Sequence, residues 1–127
     1  GTLTTWTRNL STNGQTTLAV TSGGALYSWG YNNFGQLGLG TSGAYTDQSS
    51  PTQVGSLTTW VSVVNGSSSF AIKTNGTLWS WGGNGGGQLG LGDRVSRSSP
   101  NQVGALTTWK KLANRVISGG TILAIKS

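Results

Sequence analysis

Cysteine, histidine, methionine and glutamate are all absent from this sequence. Without cysteine the chain can form neither a disulfide nor a thiolate metal site. The common general bases are reduced to Asp47 and Asp93. Two isolated carboxylates with no imidazole do not make a metal site. The composition therefore predicts a non-enzymatic protein with no catalytic residue, no metal site and no cofactor.

Charged residues are scarce as well. The chain has eight Lys and Arg against two acidic residues, so its formal net charge of +6 reflects missing acids more than abundant bases. Nucleic-acid-binding proteins usually concentrate their cations on one face. The sequence groups cations only in its last third, at Arg94, Arg97, Lys110, Lys111 and Arg115. We favour an incidental, solvated distribution over binding to nucleic acid or another anionic partner.

Long apolar runs are missing too. No stretch approaches the roughly 20 apolar residues that a membrane-spanning helix needs, so no membrane span is predicted. No basic-then-apolar leader opens the sequence. Because methionine is absent, we expect the sequence to be a fragment or a processed piece of a longer polypeptide.

A repeat of about fifty residues dominates what is present. The phrase WGYNNFGQLGLG at residues 29–40 returns as WGGNGGGQLGLG at residues 81–92, and the box LTTW occurs three times. The segment SSP-x-QVG also occurs twice. We divide the chain into repeat 1 (residues 1–54), repeat 2 (residues 55–103) and the first half of repeat 3 (residues 104–127).

Repeats 1 and 2 are each predicted to contain a β-hairpin, and repeat 3 supplies only its first strand. In FAIKTNGTLWSW, residues 70–81, two alternating runs flank an Asn-Gly pair, which suits a two-residue type I′ turn. The resulting register puts four large side chains on one face, namely Phe70, Ile72, Trp79 and Trp81. In repeat 1, with a Gly-Gly turn, the corresponding residues are Leu18, Val20, Tyr27 and Trp29. The opposite face is also mostly apolar, which suits a sheet packed between two neighbouring sheets.

Two segments change length between the repeats and are predicted to be surface loops. One follows the glycine-rich box, at residues 41–48 and 93–97. The other begins at the LTTW tryptophan, at residues 6–14, 60–66 and 109–119. Glycines that recur in phase, such as Gly38 with Gly90, are predicted at turns and close approaches. The six tryptophans are assigned to core packing, because most of them recur in phase.

These motifs resemble those of a known family. Three motifs follow one another in the order W-G-x-N-x-x-G-Q-L-G-L-G, S-S-P-x-Q-V and A-I-K-T-N-G-T-L-W. Together they are similar to the repeat of the regulator of chromosome condensation family, and the likeness covers essentially the whole chain. The resemblance implies a β-propeller in which each repeat gives one four-stranded blade. We expect an all-β fold, a partial propeller of about two and a half blades. It would belong to a larger closed propeller or assembly, because an open stack leaves an apolar face at each end. Closure within a longer polypeptide is favoured, and closure by homo-oligomerisation is second.

Residues that break the repeat are the best candidates for a contact surface, because repeated residues are first explained as scaffold. They are Tyr31, Phe34 and Tyr45 in repeat 1, and Arg94 and Arg97 in repeat 2. Their expected partners are other proteins, or other parts of the same polypeptide or assembly.

Two classes of function follow. Near-identical repeats and a polar surface with few charges favour a bacterial or phage-like version of the family. This would be a structural and interaction module exposed on a virion, tail fibre or cell surface, and hence extracellular. The resemblance also implies regulatory alternatives: a guanine-nucleotide exchange factor or chromatin-docking regulator, and a protein-inhibitor or receptor-binding propeller. The sequence leaves the partner, the host, the blade number and the mode of closure open.

Overall fold

The computed structural model describes residues 6–117 and 121–126, with side chains described for residues 10–110. It is all-β. The strands are β1 (Trp6–Thr12), β2 (Thr16–Thr21), β3 (Leu26–Gly30), β4 (Gln48–Gln53), β5 (Trp60–Asn65), β6 (Ser68–Lys73), β7 (Leu78–Gly82), β8 (Arg97–Gln102), β9 (Trp109–Ile117) and β10 (Thr121–Lys126). Within the described ranges, no helix has the length and apolarity needed to cross a membrane.

The strands form two four-stranded antiparallel sheets and one strand pair. Blade 1 has the order β1-β2-β3-β4, blade 2 has the order β5-β6-β7-β8, and β9 pairs with β10 in blade 3. Every neighbour in a sheet is also the next strand in sequence, so each blade is a simple meander. The expected architecture of four-stranded blades in an all-β chain is confirmed.

Blade 2 lies between the other two sheets. Its first strand, β5, contacts β1 and β2 on one side and β9 on the other. The core between blades 1 and 2 contains Leu18, Val20, Leu26, Val54, Trp60, Val63, Ala71 and Trp81. The core on the side of blade 3 contains Val64, Phe70, Ile72, Leu78 and Leu89, with Trp109 packed against them. Both faces of blade 2 are therefore buried against a neighbouring sheet.

The β6–β7 hairpin differs from the sequence prediction by one residue. Gly76 N donates to Lys73 O (2.9 Å) and Lys73 N donates to Thr77 O (3.0 Å). Gly76 has a positive φ of 80° and Asn75 does not have a positive φ. The loop is therefore three residues long, a type I turn followed by a bulge glycine, and the predicted type I′ turn was wrong.

The register shift moves side chains to opposite faces, as a one-residue slip must. Ile72 pairs with Leu78, and Ala71 pairs with Trp79. The prediction of one large face was therefore wrong. Trp79 and Trp81 face blade 1, whereas Phe70, Ile72 and Leu78 face blade 3. In blade 1, likewise, Leu18 and Val20 share their face with Leu26 and not with Tyr27 or Trp29.

One of the two predicted loop regions is a set of strands. The segments that begin at the LTTW tryptophans form β1, β5 and β9, the first strand of each blade. Their length differences are accommodated inside the sheets, because all three ladders contain register irregularities and those of β1 and β9 insert more residues than that of β5. The region after the glycine-rich box does connect strands, at residues 41–47 and 93–96.

Two of the glycines lie where one blade approaches the next. A Cβ on Gly38, which has φ 72°, would lie 2.8 Å from Trp81 Nε1 of blade 2. A Cβ on Gly76, in the β6–β7 turn, would lie 2.0 Å from the carbonyl oxygen of Thr107, before β9. Contacts this short exclude a side chain, so the close-approach prediction is confirmed at Gly38 but not at its in-phase partner Gly90, whose Cβ would lie 3.3 Å from Val103 of its own blade.

The tryptophans are scaffold wherever their side chains are described. Trp60 and Trp81 are buried, and Trp29, Trp79 and Trp109 are half-buried. The Trp6 side chain lies outside the described residues.

Candidate interaction surface

The two ends of the blades differ in their connections. At one end, the long-loop end, lie the tight β1–β2 and β5–β6 turns and two long connections, residues 31–47 and 83–96. At the other, the short-loop end, lie residues 22–25, 54–59, 74–77 and 103–108. All five residues predicted for contact lie at the long-loop end: Tyr31, Phe34, Tyr45, Arg94 and Arg97.

A buried asparagine holds each long loop in shape. Asn32 Nδ2 donates to Thr41 O (3.0 Å), and Asn32 Oδ1 accepts from Leu37 N (3.0 Å). In blade 2, Asn84 Nδ2 donates to Val95 O (2.9 Å), and Asn84 Oδ1 accepts from Leu89 N (2.9 Å). One amide thus ties the glycine-rich box to the loop after it.

The sequence analysis assigns no role to these two asparagines. Their recurrence is nevertheless visible in the sequence, because Asn32 and Asn84 occupy the same position in two boxes made largely of glycine. A polar side chain repeated among residues that offer so few side-chain groups is typical of a buried hydrogen-bonding centre.

Both aspartates accept hydrogen bonds within the long loops. Asp47 Oδ1 accepts from Asn32 N (2.8 Å). Asp93 Oδ1 accepts from Asn84 Nδ2 (3.1 Å) and from Val95 N (3.0 Å). These carboxylates satisfy backbone and amide donors that the turns leave unpaired.

Arg97 forms an ion pair with Asp93 within its own loop. Arg97 Nη2 lies 2.8 Å from Asp93 Oδ2, and Arg97 Nη1 donates to Val95 O (2.6 Å). The hydrogen bond from Arg97 lowers the pKa of Asp93 below its usual value, and Asp93 raises the pKa of Arg97. The pair is exposed, so we assign it to the shape of the loop and not to overall stability.

The substitution Arg97→Gln is expected to raise the pKa of Asp93 toward its ordinary value. The reason is that the Arg97 hydrogen bond is the largest cause of the depression. The pKa of Asp93 is lower in the folded protein than in the unfolded chain. The ion pair therefore favours the folded state at pH values above the ordinary aspartate pKa, and this contribution is lost as the pH falls through the lowered pKa. A carbon-13 titration of the Asp93 carboxyl measures this directly. Arg94→Gln is the matched control, and the proposed pairing is wrong if both variants leave the titration unchanged.

The aromatic candidates divide into a contacting pair and an isolated residue. The rings of Tyr31 and Phe34 meet edge to face, with centroids 6.4 Å apart. Phe34 lies beside Gly83 of blade 2, so this pair covers the junction of the two blades. Tyr45 is fully exposed and has a positive φ of 67°, a conformation that disfavours non-glycine residues. The structure brings Tyr31 and Phe34 together but leaves Tyr45 without side-chain packing.

Val95 is a contact candidate that sequence reasoning missed. It is exposed beside Arg94, which is also exposed. A single valine in a polar loop gives no sequence signal, and its exposure is visible only in the structure.

The basic residues of the last third are not gathered on one surface where they are described. Arg94 and Arg97 lie at the long-loop end, whereas Lys110 follows the tryptophan that starts β9 at the short-loop end. The side chains of Lys111 and Arg115 lie outside the described residues.

Comparison with known proteins gives consistent matches over most of the chain. The family model of the Regulator of chromosome condensation (RCC1) repeat matches residues 23–72 and 75–118. A second model of this repeat matches residues 8–36.

Two curated relatives and one solved structure illustrate the likeness. The chain is 41% identical over 83 residues to the probable E3 ubiquitin-protein ligase HERC3 of Homo sapiens, covering 63% of this chain and 8% of that protein. It is 40% identical over 85 residues to the ultraviolet-B receptor UVR8 of Arabidopsis thaliana, covering 64% of this chain and 18% of that protein. The crystal structure of Prp20p from Saccharomyces cerevisiae matches with a TM-score of 0.70 at 21% identity, covering 83% of this chain and 27% of that one. The chain thus spans a small part of each, and the structural likeness is one of fold.

Proposed function

Because this chain belongs to the regulator of chromosome condensation (RCC1) repeat family, we propose that it is a non-enzymatic module that binds a protein partner through its long-loop end. The observation that supports this most is the exposure of Phe34 (47%), Tyr45 (104%) and Val95 (62%), all in the two long connections. Aromatic residues and arginine are enriched where protein interfaces concentrate their binding energy, and Arg94 lies beside Val95. Solvent-exposed apolar side chains contribute favourable binding free energy when a partner removes them from water.

The long connections are also held in place, which favours binding. Gln36 O accepts hydrogen bonds from Ser69 Oγ (2.7 Å) and Trp81 Nε1 (2.9 Å), so the blade 1 box is fixed on blade 2. Gly40 N donates to Ser98 O (2.8 Å) at the far end of that box. Loops that are already ordered lose little conformational entropy when a partner binds, and this supports a docking role.

The setting that we propose is an exposed one, on a virion, a tail fibre or a cell-surface assembly. Only 8% of the residues are charged, and the sequence is rich in serine, threonine, asparagine and glycine. The structural relative Prp20p was described with its binding to Gsp1p and histones, which supports a protein as the class of partner. The identity of the partner decides between the exposed setting and the regulatory alternatives.

Crosslinking from position 45, through a photoreactive residue placed there, is the experiment that identifies the partner. Binding of that partner to the complete purified protein is then measured by calorimetry. We expect Phe34→Ser and Tyr45→Ser each to weaken binding by about tenfold or more, because truncation of a central interface residue costs over about 1 kcal/mol. Leu106→Ser is the matched control, since Leu106 is 47% exposed at the opposite end.

Equal affinity of the partner for wild type and both long-loop variants would place its binding site elsewhere. A capsid, tail or surface protein as partner would support the exposed setting. A small GTPase whose nucleotide release is accelerated, or a nucleosome, would overturn that setting while leaving the long-loop surface in place.

A further inference from the structure

A concave feature lies between blades 1 and 2. It is a cleft of about 410 Å³, with Gln53, Val54 and Leu57 from the end of blade 1 and its connection to blade 2 on one side, and Lys73 and Trp79 of blade 2 on the other. These residues lie at or next to the short-loop end, and Leu39 of the long connection in blade 1 also lines the cleft. The volume falls within the ~300 to 1,000 Å³ range of small-molecule sites.

The wall of the cleft is mostly apolar. Leu39, Val54, Leu57 and Pro100 contribute aliphatic surface, and Trp60 and Trp79 contribute indole rings that meet edge to face with centroids 6.3 Å apart. Such a wall suits a flat or short hydrocarbon group. It gives little binding to a fully hydrated ion.

One cation lies over the indoles. Lys73 Nζ is 3.8 Å from the ring centroid of Trp79 and 5.0 Å from that of Trp60. The tryptophan faces hold the ammonium group by cation–π attraction. Burial lowers the pKa of Lys73. The ammonium group has therefore lost part of its hydration without gaining a formal counter-charge.

No described carboxylate is placed to neutralise Lys73. The ion pair found among the described residues is that of Arg97 with Asp93, and Asp47 accepts from Asn32 N, all at the long-loop end. The cleft therefore offers a positive charge, and none of the residues that line it is acidic.

The position of Lys73 carries a cation in two of the three blades. Lys73 ends β6 and Lys126 ends β10, whereas Thr21 ends β2 in blade 1. Because blade 1 forms the same strand with a threonine there, the fold does not require the charge.

We propose that this cleft binds a small organic carboxylate whose apolar part is a ring or a short hydrocarbon chain. The carboxylate accepts hydrogen bonds from Lys73 Nζ. The apolar part lies against Trp79, Leu39 and Pro100. No covalent step is involved. Leu39 belongs to the long connection of blade 1, but Phe34 and Tyr45, which are proposed to contact a protein partner, do not line the cleft.

The test uses three probes that share one ring and differ in charge: phenylacetate, phenylacetamide and phenethylamine. Each is titrated into the complete purified protein by calorimetry, with the indole N–H signals of Trp60 and Trp79 followed by nitrogen-15 NMR. We expect phenylacetate to bind about tenfold or more tightly than phenylacetamide, because only the acid forms a charge-assisted hydrogen bond. Phenethylamine should not bind, since Lys73 repels it.

Variants locate the site. Lys73→Met should make phenylacetate and phenylacetamide bind equally, and Lys110→Met should leave their ratio unchanged. Leu57→Asp should abolish phenylacetate binding, because it puts an anion at the lip of the cleft. Leu57 is 48% exposed, so this variant is expected to fold. Leu106→Asp, at the same place in the next LTTW box, is its matched control and should bind phenylacetate normally.

Three results would overturn the proposal. The first is equal binding of phenylacetate and phenylacetamide to the wild-type protein. The second is an acid preference that survives Lys73→Met. The third is the absence of any shift of the Trp60 and Trp79 indole signals at millimolar phenylacetate.

Discussion

Replacing Gly76 with alanine is expected to lower the free energy of unfolding by about 3 kcal/mol or more, the sum of left-handed backbone strain and overpacking. Gly76 has φ 80°, and an added Cβ would lie 2.0 Å from Thr107 O and 2.6 Å from Thr107 C. These are backbone atoms of the neighbouring blade, so they cannot rotate away as a side chain would. Gly76 O also accepts a hydrogen bond from Trp109 N (3.1 Å), which displacement of the strand would break.

Substitutions at two other glycines separate the cost of backbone strain from the cost of the steric collision at Gly76. Gly104 has φ 65° and Gly85 does not have a positive φ, and neither has an atom within 4 Å of an added Cβ. Gly104→Ala should therefore cost about 1 to 2 kcal/mol from backbone strain alone. Gly85→Ala should change stability by less than about 0.5 kcal/mol. Urea unfolding of the complete protein gives all three values, and equal costs for Gly76→Ala and Gly104→Ala would refute the collision.

Truncation of Trp81 to alanine is expected to cost about 3 to 5 kcal/mol, the range for a large aromatic residue removed from a core. Trp81 is 0% exposed in the core between blades 1 and 2. Its ring meets that of Trp60 at 6.1 Å, and its Nε1 donates to Gln36 O of the preceding blade (2.9 Å). Thermal and urea unfolding both measure the loss.

Two substitutions serve as controls for the Trp81 prediction. Trp81→Phe keeps most of the ring and removes the donor to Gln36 O. That carbonyl still accepts from Ser69 Oγ, so we expect a cost nearer to about 1 kcal/mol. Phe34→Ala truncates an aromatic residue that is 47% exposed and should change stability by less than about 0.5 kcal/mol. If Trp81→Ala were as mild as Phe34→Ala, the burial of blade 2 against blade 1 would be wrong.

Strand content and two-sided burial could be predicted from sequence, because both faces of residues 70–81 are largely apolar and the pattern recurs. The hairpin register could not, since an Asn-Gly pair fits two turn types that differ by one residue. The β6–β7 loop is also a contact with blade 3, where Gly76 lies against Thr107. A prediction made from the hairpin sequence alone does not include this contact with the neighbouring blade.

The residues that break the repeat all lie at the long-loop end, because loops tolerate change where strands do not. Their role in binding stays a prediction. The structure also pairs Arg97 with Asp93 inside its own loop, a contact that the repeat pattern does not predict. The cleft at Lys73 was missed altogether, since its walls come from two repeats and no linear spacing records the junction.

The docking of the blade 1 glycine-rich box on blade 2 gives this junction a direction. The carbonyl of Gln36 accepts hydrogen bonds from Ser69 and Trp81 of the following blade. The earlier blade supplies the acceptor and the later blade supplies the donors, so the two contacting sides are chemically unlike. Blades joined in this way can follow one another in a single rotational sense only, and damage to the box of blade 1 should first loosen blade 2.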